Sequence, residues 1–329
     1  MTDIKKYITP FSVTGNEEKL AAIIAEDMKP CADSITADPM GNLICFKKGE
    51  DSSKRTMLAA HMDEIGFVVT FVENSGLIRV ANVGGIRPVS SAFGEVVFKN
   101  GVKGVIVLED NLQLADISIK KMLVDIGAKD KKDALKKVKI GDYLSLSQRV
   151  TRLANKRYAA KAFDDRIGCA VLVEAAKLAT KVRYDTYYVF TVQEEVGCRG
   201  SKAAANVILP DYSVACDVTP TYDTAGAQPG EVKLGAGAAI KIKDTSVICS
   251  KTIVDRLTAL AEDKKIKYQY EILTAGGTDA SSMQTAGAGS YAGCISVPCR
   301  YVHSPVEIID AKDLENCAKL FAAFIEEGV

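Results

Sequence analysis

The chain has 329 residues but only two histidines, and each follows an apolar stretch. His61 stands in the segment LAAHMDE, and His303 stands in the segment RYVHSP. Neutral imidazole is the commonest metal ligand in proteins. Two imidazoles combined with carboxylates make a mixed nitrogen and oxygen site that suits zinc or a similar divalent cation. The alternative is that both are buried core histidines with ordinary hydrogen bonds.

Carboxylates stand at other points where a predicted strand ends or a helix begins. Asp63 lies two residues after His61, a spacing that points both side chains the same way on a strand. Acidic pairs occur in AFDDR (162–166) and VQEEVG (192–197), and a single aspartate occurs in ACDVT (215–219). Such pairs are commonly helix caps or lie on the solvated surface. Glu194 and Glu195, however, follow a predicted strand that is apolar enough to lie at the centre of a sheet. Ligands gather beyond the carboxyl ends of strands, so we expect these segments to meet there.

These residue types are sufficient for a two-metal hydrolytic site. Two cations roughly 3.5–4 Å apart need a bridging group and terminal ligands, and they bracket a shared water. Two histidines, one bridging aspartate and two terminal carboxylates supply the ligands. One glutamate is then left as a general base, and one aspartate is left to orient a histidine.

The elements that must position these residues are of two kinds. Residues 1–65 and 158–329 alternate between strand and helix patterns, with helices expected at 251–263 and 311–327, which predicts a largely parallel sheet with helices on both faces. Residues 66–157 read as almost pure β structure with one short helix at 131–137, and Asn100-Gly101 is a strong hairpin signal. We therefore expect an α/β domain built from both ends of the chain and a small inserted β-barrel domain. Thr14 and Glu17 have the spacing of a capping box before the first long helix.

Composition argues against several protein classes. Lys+Arg and Asp+Glu number 42 each, so no global field attracts nucleic acid or an anionic membrane. No apolar run approaches the roughly 20 residues of a spanning helix, and no signal-peptide core follows the N-terminus. The nine cysteines are scattered and never spaced as C-x-x-C, which favours reduced thiols in the cytoplasm over a cysteine zinc site. Cys198 and Cys216 lie near the expected site, and we interpret both as small buried apolar residues.

Six motifs follow one another along the chain: H-x-D-E-x-G from His61, A-F-D-D-R-x-G from Ala162, Q-E-E-V-G-x-R-G from Gln193, D-V-T-P from Asp217, G-G-T-D-A from Gly276 and R-Y-x-H-S-P-x-E from Arg300. Together they resemble the tetrahedral (TET) aminopeptidases, the glutamyl aminopeptidase family of di-metal metallopeptidases, some of whose members are labelled endoglucanases. The resemblance covers essentially the whole chain. It implies a mostly parallel mixed sheet flanked by helices, as in zinc exopeptidases, with an inserted PDZ-like β-barrel that mediates assembly.

The resemblance also implies a role for each metal ligand. Asp164 would bridge two divalent ions, zinc foremost with cobalt or manganese as alternatives. His61 and Glu195 (or Asp217) would be terminal ligands of separate ions, and His303 would bind the second ion.

The remaining roles concern the reaction. Glu194 would be the general base, Asp63 would orient His61, and the peptide bond between Asp164 and Asp165 would be cis. The substrates would be peptides with a free N-terminus, and dimers would build a twelve-subunit shell. The sequence leaves open which N-terminal residue is removed.

Three alternatives share parts of this pattern. A di-zinc deacylase or carboxypeptidase would use the same metals but bind a different substrate group. A glucanase would need two carboxylates and no metal, and a non-catalytic binding protein would be expected to lack a ligand or the base. One departure from the family concerns the insert: residues 105–112 read VIVLEDNL, where many relatives carry a proline-rich stretch with a histidine.

Overall fold

The computed structural model describes residues 3–146 and 149–329 of the chain. Its helices and strands follow this order: α1 Ile4–Ile8, α2 Glu18–Met28, β1 Ser34–Ala37, β2 Leu43–Lys47, β3 Asp51–His61, β4 Gly66–Val72, β5 Ile78–Val83, α3 Pro88–Ser91, β6 Glu95–Phe98, β7 Lys103–Leu108, β8 Met122–Asp125, α4 Lys131–Leu135, β9 Tyr143–Leu146, β10 Thr151–Arg152, β11 Arg157–Ala160, α5 Phe163–Leu178, β12 Tyr184–Thr191, α6 Arg199–Ile208, β13 Tyr212–Pro220, β14 Ala238–Lys243, α7 Lys251–Asp263, β15 Tyr268–Ile272, α8 Asp279–Gln284, β16 Tyr291–Arg300, β17 Glu307–Asp310 and α9 Ala311–Glu327.

The larger of the two sheets has the strand order β1-β2-β12-β3-β13-β16-β17-β11-β10, with β14 and β15 attached beside β16. Its centre is parallel, because β12, β3, β13 and β16 all pair in the same direction. Its margins are antiparallel. The parallel strands therefore all deliver their carboxyl ends to one edge, where ligands of such sheets bind.

Both faces of the parallel centre are covered by helices, which explains its nearly continuous apolar strands. Alternate residues of β3 point to opposite faces: Leu58 and Ala60 pack in the core with α2, α5, α7 and α9, and Met57 and Ala59 pack in the core with α6 and α8. The predicted α/β architecture with flanking helices is confirmed. No helix among the described residues combines the length and the apolar character that crossing a membrane requires.

A closed six-stranded barrel, β4-β5-β8-β7-β6-β9, lies between β3 and β10 in the chain. Its interior is filled by apolar side chains such as Phe67, Ile78 and Phe98. β6 and β7 pair as the predicted hairpin around Asn100-Gly101. The inserted barrel is thus confirmed. The division at residues 66 and 157 stays a prediction, and β10, which falls inside that span, pairs with β11 in the large sheet.

The capping-box prediction at the first long helix was wrong. α2 begins at Glu18, and its first residues receive no side-chain cap from Thr14 or Glu17. The Thr14 hydroxyl instead donates to Asp63 at 2.8 Å. Glu17 accepts from the backbone of Gly15 at 2.8 Å and of Gln193 at 3.3 Å. Thr14 and Glu17 therefore make these contacts instead of the predicted capping hydrogen bonds.

Candidate active site

The predicted site residues come together at the edge of the large sheet where its parallel strands end. β3 ends at His61, and the Glu194-Glu195 pair follows the end of β12. Asp217 lies inside β13, since pairing with β16 continues as far as Pro220. The full set of predicted site residues gathered here is His61, Asp63, Asp164, Glu194, Glu195, Asp217 and His303.

Asp164 occupies the middle of this cluster. Its Oδ1 lies 3.1 Å from Nε2 of His61, and its Oδ2 lies 3.1 Å from Nε2 of His303. The same nitrogen of His303 is 3.3 Å from Oε2 of Glu195. The peptide bond between Asp164 and Asp165 is cis, as the family resemblance implied. One carboxylate thus faces two imidazoles, one with each oxygen.

Asp217 lies on the His61 side of Asp164. Its carboxylate, that of Asp165 and a ring nitrogen of His61 all lie within 4.8 Å of one another. The Glu195 side chain is only 4% exposed and contacts His303. Its carboxylate also lies within 4.8 Å of the donor atoms of Asp164 and His61, so the donor atoms form two overlapping groups around His61 and Asp164.

Asp63 links His61 to the glutamate pair. Nδ1 of His61 lies 3.1 Å from the backbone carbonyl oxygen of Asp63 and 3.5 Å from its Oδ1. The Asp63 carboxylate accepts from the backbone N–H groups of Glu194 at 2.9 Å and Glu195 at 3.2 Å, and from the Thr14 hydroxyl. The fully buried Asp63 therefore fixes both a histidine ring and the loop that carries the glutamates.

Glu194 is the predicted site residue least tied to the other donors. Its Oε2 lies 3.8 Å from Nε2 of His61, and its side chain is 12% exposed. It lines a cavity of about 760 Å³ that also contains Asp164, Glu195 and Asp217. Its carboxylate can therefore be reached from the cavity, which a proton acceptor requires.

The pKa values in the cluster show how strongly its charges interact. Burial disfavours the imidazolium of His61, but Asp164 and Asp63 outweigh burial and raise the pKa of His61 well above its usual value. Burial is likewise outweighed at His303, where Asp164 and Glu195 raise the pKa to about 12. The carboxylates around the two rings thus favour positive charge at both positions.

The carboxylates themselves are in excess. Burial raises the pKa of Glu194 well above its ordinary value, and the charges of Asp217 and Asp279 raise it further. Burial and the charge of Asp164 do the same to Asp217. Oε1 of Glu195 is buried and has no hydrogen-bond partner among the residues that the structure describes. Divalent cations fit this donor set, because they would neutralise the carboxylates and occupy the unpartnered oxygen.

Two carboxylates that we did not assign as site residues hold the backbone of those that we did. Glu307 accepts from the backbone N–H of His303 at 2.9 Å and of Asp164 at 3.1 Å. Asp165 accepts from the backbone N–H of His61 at 3.2 Å. Both residues lie in the quoted motifs, so their position in a motif was the available signal. Their target atoms belong to segments distant in the chain, and the sequence gives no indication of that.

A second buried charge cluster lies beside the site. Glu64, in the first motif, pairs with Lys161 and Arg166, and all three side chains are 3% exposed or less. The Ser145 hydroxyl of barrel strand β9 donates to Glu64 at 3.1 Å, and Arg166 donates to the backbone carbonyl of Ile8 at 2.8 Å. This Glu64 cluster joins the barrel, the large sheet and the N-terminal segment directly behind the site.

The two cysteines near the site differ. Cys216 is buried in the apolar core, as interpreted from the sequence. The interpretation of Cys198 as a buried apolar residue was wrong: it is half-buried, lines the cavity and donates through Sγ to Oε1 of Glu194 at 3.1 Å.

Two cations also line the cavity, Arg87 from the barrel segment and Lys202 from α6. Neither forms an ion pair with a carboxylate in the part of the chain that the structure describes. A third cation, Lys241, is buried and already paired with Glu271 and Asp244. The cavity is therefore lined by several carboxylates and by two cations that have no carboxylate partner among the described residues.

Comparison with known proteins is consistent with this architecture. The model of the M42 glutamyl aminopeptidase family matches residues 41–320. A protein of Acetivibrio thermocellus is 45% identical over 323 residues, which is 98% of this chain and 97% of that protein.

Two solved structures extend the likeness to the fold. The aminopeptidase APDkam598 of the archaeon Desulfurococcus kamchatkensis is 37% identical and superposes with a TM-score of 0.95. The match covers 99% of this chain and 94% of that chain. The TET1 peptidase of Pyrococcus horikoshii is 34% identical with a TM-score of 0.88 and 98% coverage of both chains. The chain therefore belongs to the M42 glutamyl aminopeptidase family, whose members are peptide-bond hydrolases.

Proposed function

We propose that this protein is a metal-dependent aminopeptidase that removes N-terminal residues from peptides and holds two divalent cations per chain. The observation that carries the proposal is the placement of Asp164 between His61 and His303, with one carboxylate oxygen 3.1 Å from each ring. A carboxylate with a histidine at each oxygen is a suitable bridge for two cations.

We assign the remaining ligands from their positions beside Asp164. Asp217 lies with His61, so these two residues would hold one ion. Glu195 lies with His303, so these two would hold the other. Zinc suits such nitrogen and oxygen donors best, and cobalt and manganese are the alternatives.

The reaction divides between the ions and the protein. Two bound cations would polarise the scissile carbonyl and lower the pKa of a shared water. Glu194 accepts the proton of the attacking water at Oε2 and returns a proton to the leaving amine, since this oxygen faces His61 and is reached from the cavity. Asp63 fixes the positions of the loop that carries Glu194 and of the His61 ring relative to each other.

The charges that line the cavity favour a particular substrate. The carboxylates attract the positively charged N-terminal amine of a peptide. Arg87 and Lys202 line the same cavity and have no carboxylate partner among the described residues. An acidic first side chain would find its counter-charge there. We therefore expect a glutamyl anilide to be cleaved faster than the isosteric glutaminyl anilide.

One set of assays tests the proposal against its alternatives. The protein, reconstituted with zinc or cobalt, should bind about two ions per chain and release the first residue of free-amine peptides. Peptides with an acetylated N-terminus should be resistant, which distinguishes an aminopeptidase from a deacylase or carboxypeptidase. A chelator should abolish the activity, whereas a glucanase mechanism would survive it. Equal cleavage of acetylated peptides would contradict the proposal.

We also propose that the protein forms a homo-oligomer, up to a shell of twelve subunits. The Pyrococcus horikoshii TET1 peptidase assembles into a tetrahedron or a large octahedral shell. Here the barrel segment carries strongly exposed apolar side chains, including Phe93 at 74%, Leu114 at 70% and Ile140 at 65%. Exposed apolar surface of this kind is typical of interfaces. Light scattering on the intact protein tests the assembly, and a monomer would contradict it.

A further inference from the structure

The loop after β12 folds back on itself between Glu194 and Cys198. The backbone N–H groups of Gly197 and Cys198 both donate to the carbonyl oxygen of Glu194, at 2.8 and 2.9 Å. Cys198 has a positive φ of 50°, which directs the chain out of this turn and into α6. The turn therefore brings the side chain of residue 198 back beside that of residue 194.

The thiol of Cys198 forms a hydrogen bond with the carboxylate of Glu194. Its Sγ donates to Oε1 of Glu194 at 3.1 Å. A thiol is a weak donor, but the carboxylate is a strong acceptor, and a polar contact gains strength where water is scarce. The Glu194 side chain is 12% exposed. The contact is therefore shielded enough to hold the carboxylate in one orientation.

The two oxygens of Glu194 consequently have different surroundings. Oε1 accepts the thiol hydrogen, and Oε2 lies 3.8 Å from Nε2 of His61, on the side of the proposed metal ligands. Within the described part of the chain, no protein group donates a hydrogen bond to Oε2. The thiol thus occupies the oxygen that faces away from the reaction and leaves the other free to accept a proton.

The alternative partner of the Glu194 carboxylate is unavailable. Asp279 lies within 4.8 Å of Glu194 and Cys198, but both of its oxygens accept hydroxyl groups, from Thr191 at 2.6 Å and Ser201 at 2.5 Å. As a carboxylate, Asp279 repels Glu194 and cannot donate to it. Without the thiol, Oε1 would therefore lose the one donor from the described residues that fixes its orientation.

We propose that Cys198 is a positioning residue for the reaction: its thiol orients the carboxylate of Glu194 so that Oε2 faces the proposed metal ligands. This inference rests on the proposed role of Glu194 as the general base. It concerns orientation, so removing the thiol should lower the rate of the chemical step while substrate binding and metal content stay unchanged.

The test compares variants of the metal-reconstituted protein with an aminoacyl anilide, measuring kcat, KM and metal content separately. Cys198→Ala should lower kcat roughly three- to tenfold, the equivalent of one ordinary hydrogen bond, with KM and metal content unchanged. Cys198→Ser retains a donor and should stay within about twofold of the parent protein. Cys31→Ala is the matched control, because Cys31 is also a half-buried free thiol but lies outside the cavity.

A double-mutant cycle separates positioning from a structural role. In a Glu194→Gln background the carboxylate is absent, so adding Cys198→Ala should cause little further loss. Three outcomes would overturn the inference. They are an unchanged kcat in Cys198→Ala, a change in metal content or KM instead of kcat, and full additivity of the two substitutions in the cycle. If Glu194→Gln alone keeps its kcat, the proposed base is wrong, and that result is distinct from a failure at Cys198.

Discussion

Two buried clusters of charge lie next to each other in this protein, and they are built differently. Around Asp164, the carboxylates of Glu194, Glu195 and Asp217 outnumber the imidazoles, and Oε1 of Glu195 has no partner among the described residues. In the Glu64 cluster, one carboxylate faces the two cations Lys161 and Arg166 and also accepts from Ser145.

The difference indicates what each cluster is for. A buried charge is tolerated when it is paired and hydrogen-bonded. In the Glu64 cluster the protein's own residues pair every charged group with one of opposite sign, and only Nε of Arg166 lacks a hydrogen-bond partner among the described residues, so the cluster can hold the fold together. The Asp164 cluster has more carboxylates than protein cations, and the proposed divalent ions would supply the missing positive charge. An excess of buried carboxylate therefore marks the proposed site, whereas a carboxylate fully paired with protein cations marks the cluster that supports it.

The largest expected effect comes from removing the shared carboxylate. Asp164→Ala should lower the metal content for both ions, because the residue lies between both groups of donors, and activity should fall to the level of the metal-free protein. Elemental analysis together with an aminopeptidase assay measures this. Full metal content in Asp164→Ala would show that the residue does not bridge.

The next effect separates chemistry from metal binding within the glutamate pair. Glu194→Gln should keep both ions and lose about 10²–10⁴-fold in kcat, the usual contribution of a general acid–base. Glu195→Gln is the matched control, one residue away, and should lower metal occupancy because Glu195 contacts His303. A near-normal kcat in a fully loaded Glu194→Gln protein would contradict the proposed mechanism at its central step.

The sequence was sufficient to find the residues proposed to do the chemistry, and less so to find the residues that hold them in place. His61 and Glu194 could be found because each follows a recognisable apolar strand, and parallel strands bring their ends together. The helices Lys251–Asp263 and Ala311–Glu327 were likewise predicted at their observed bounds, since their apolar periodicity is long and regular.

The supporting contacts could not be predicted, because they join segments far apart in the chain. Glu64 meets Lys161 and Arg166 across 97 and 102 residues. Glu17 looked like part of a capping box but accepts from Gln193, 176 residues away. Cys198 looked like a core residue because nothing in the sequence shows that the turn returns it to Glu194. A local sequence pattern predicts the element on which a residue lies, whereas the contacts of its side chain depend on the tertiary fold.

The support cluster predicts a large effect on stability. Glu64→Gln preserves shape but leaves Lys161 and Arg166 buried without a counter-charge, so the free energy of unfolding should fall by about 3–5 kcal/mol. Chemical denaturation of the metal-free protein measures it. The double variant Glu64→Gln/Lys161→Met also removes one of the two buried cations and should recover part of the loss. A cost below about 1 kcal/mol for the single variant would show that this cluster does not stabilise the fold.

The smallest expected effect comes from an exposed ion pair, that of Lys99 with Glu18. Lys99 in the barrel segment donates to Glu18 at 2.6 Å and to Asn16 at 2.8 Å, so it also joins the barrel to the α/β domain. The side chains of Lys99 and Glu18 are 44% and 58% exposed, and such pairs contribute about 0–1 kcal/mol. Lys99→Ala should therefore change the free energy of unfolding by less than about 1 kcal/mol, and the change should shrink further at roughly 1 M salt, where exposed charges are screened. If Lys99→Ala were as costly as Glu64→Gln, burial would not be what separates the two contacts.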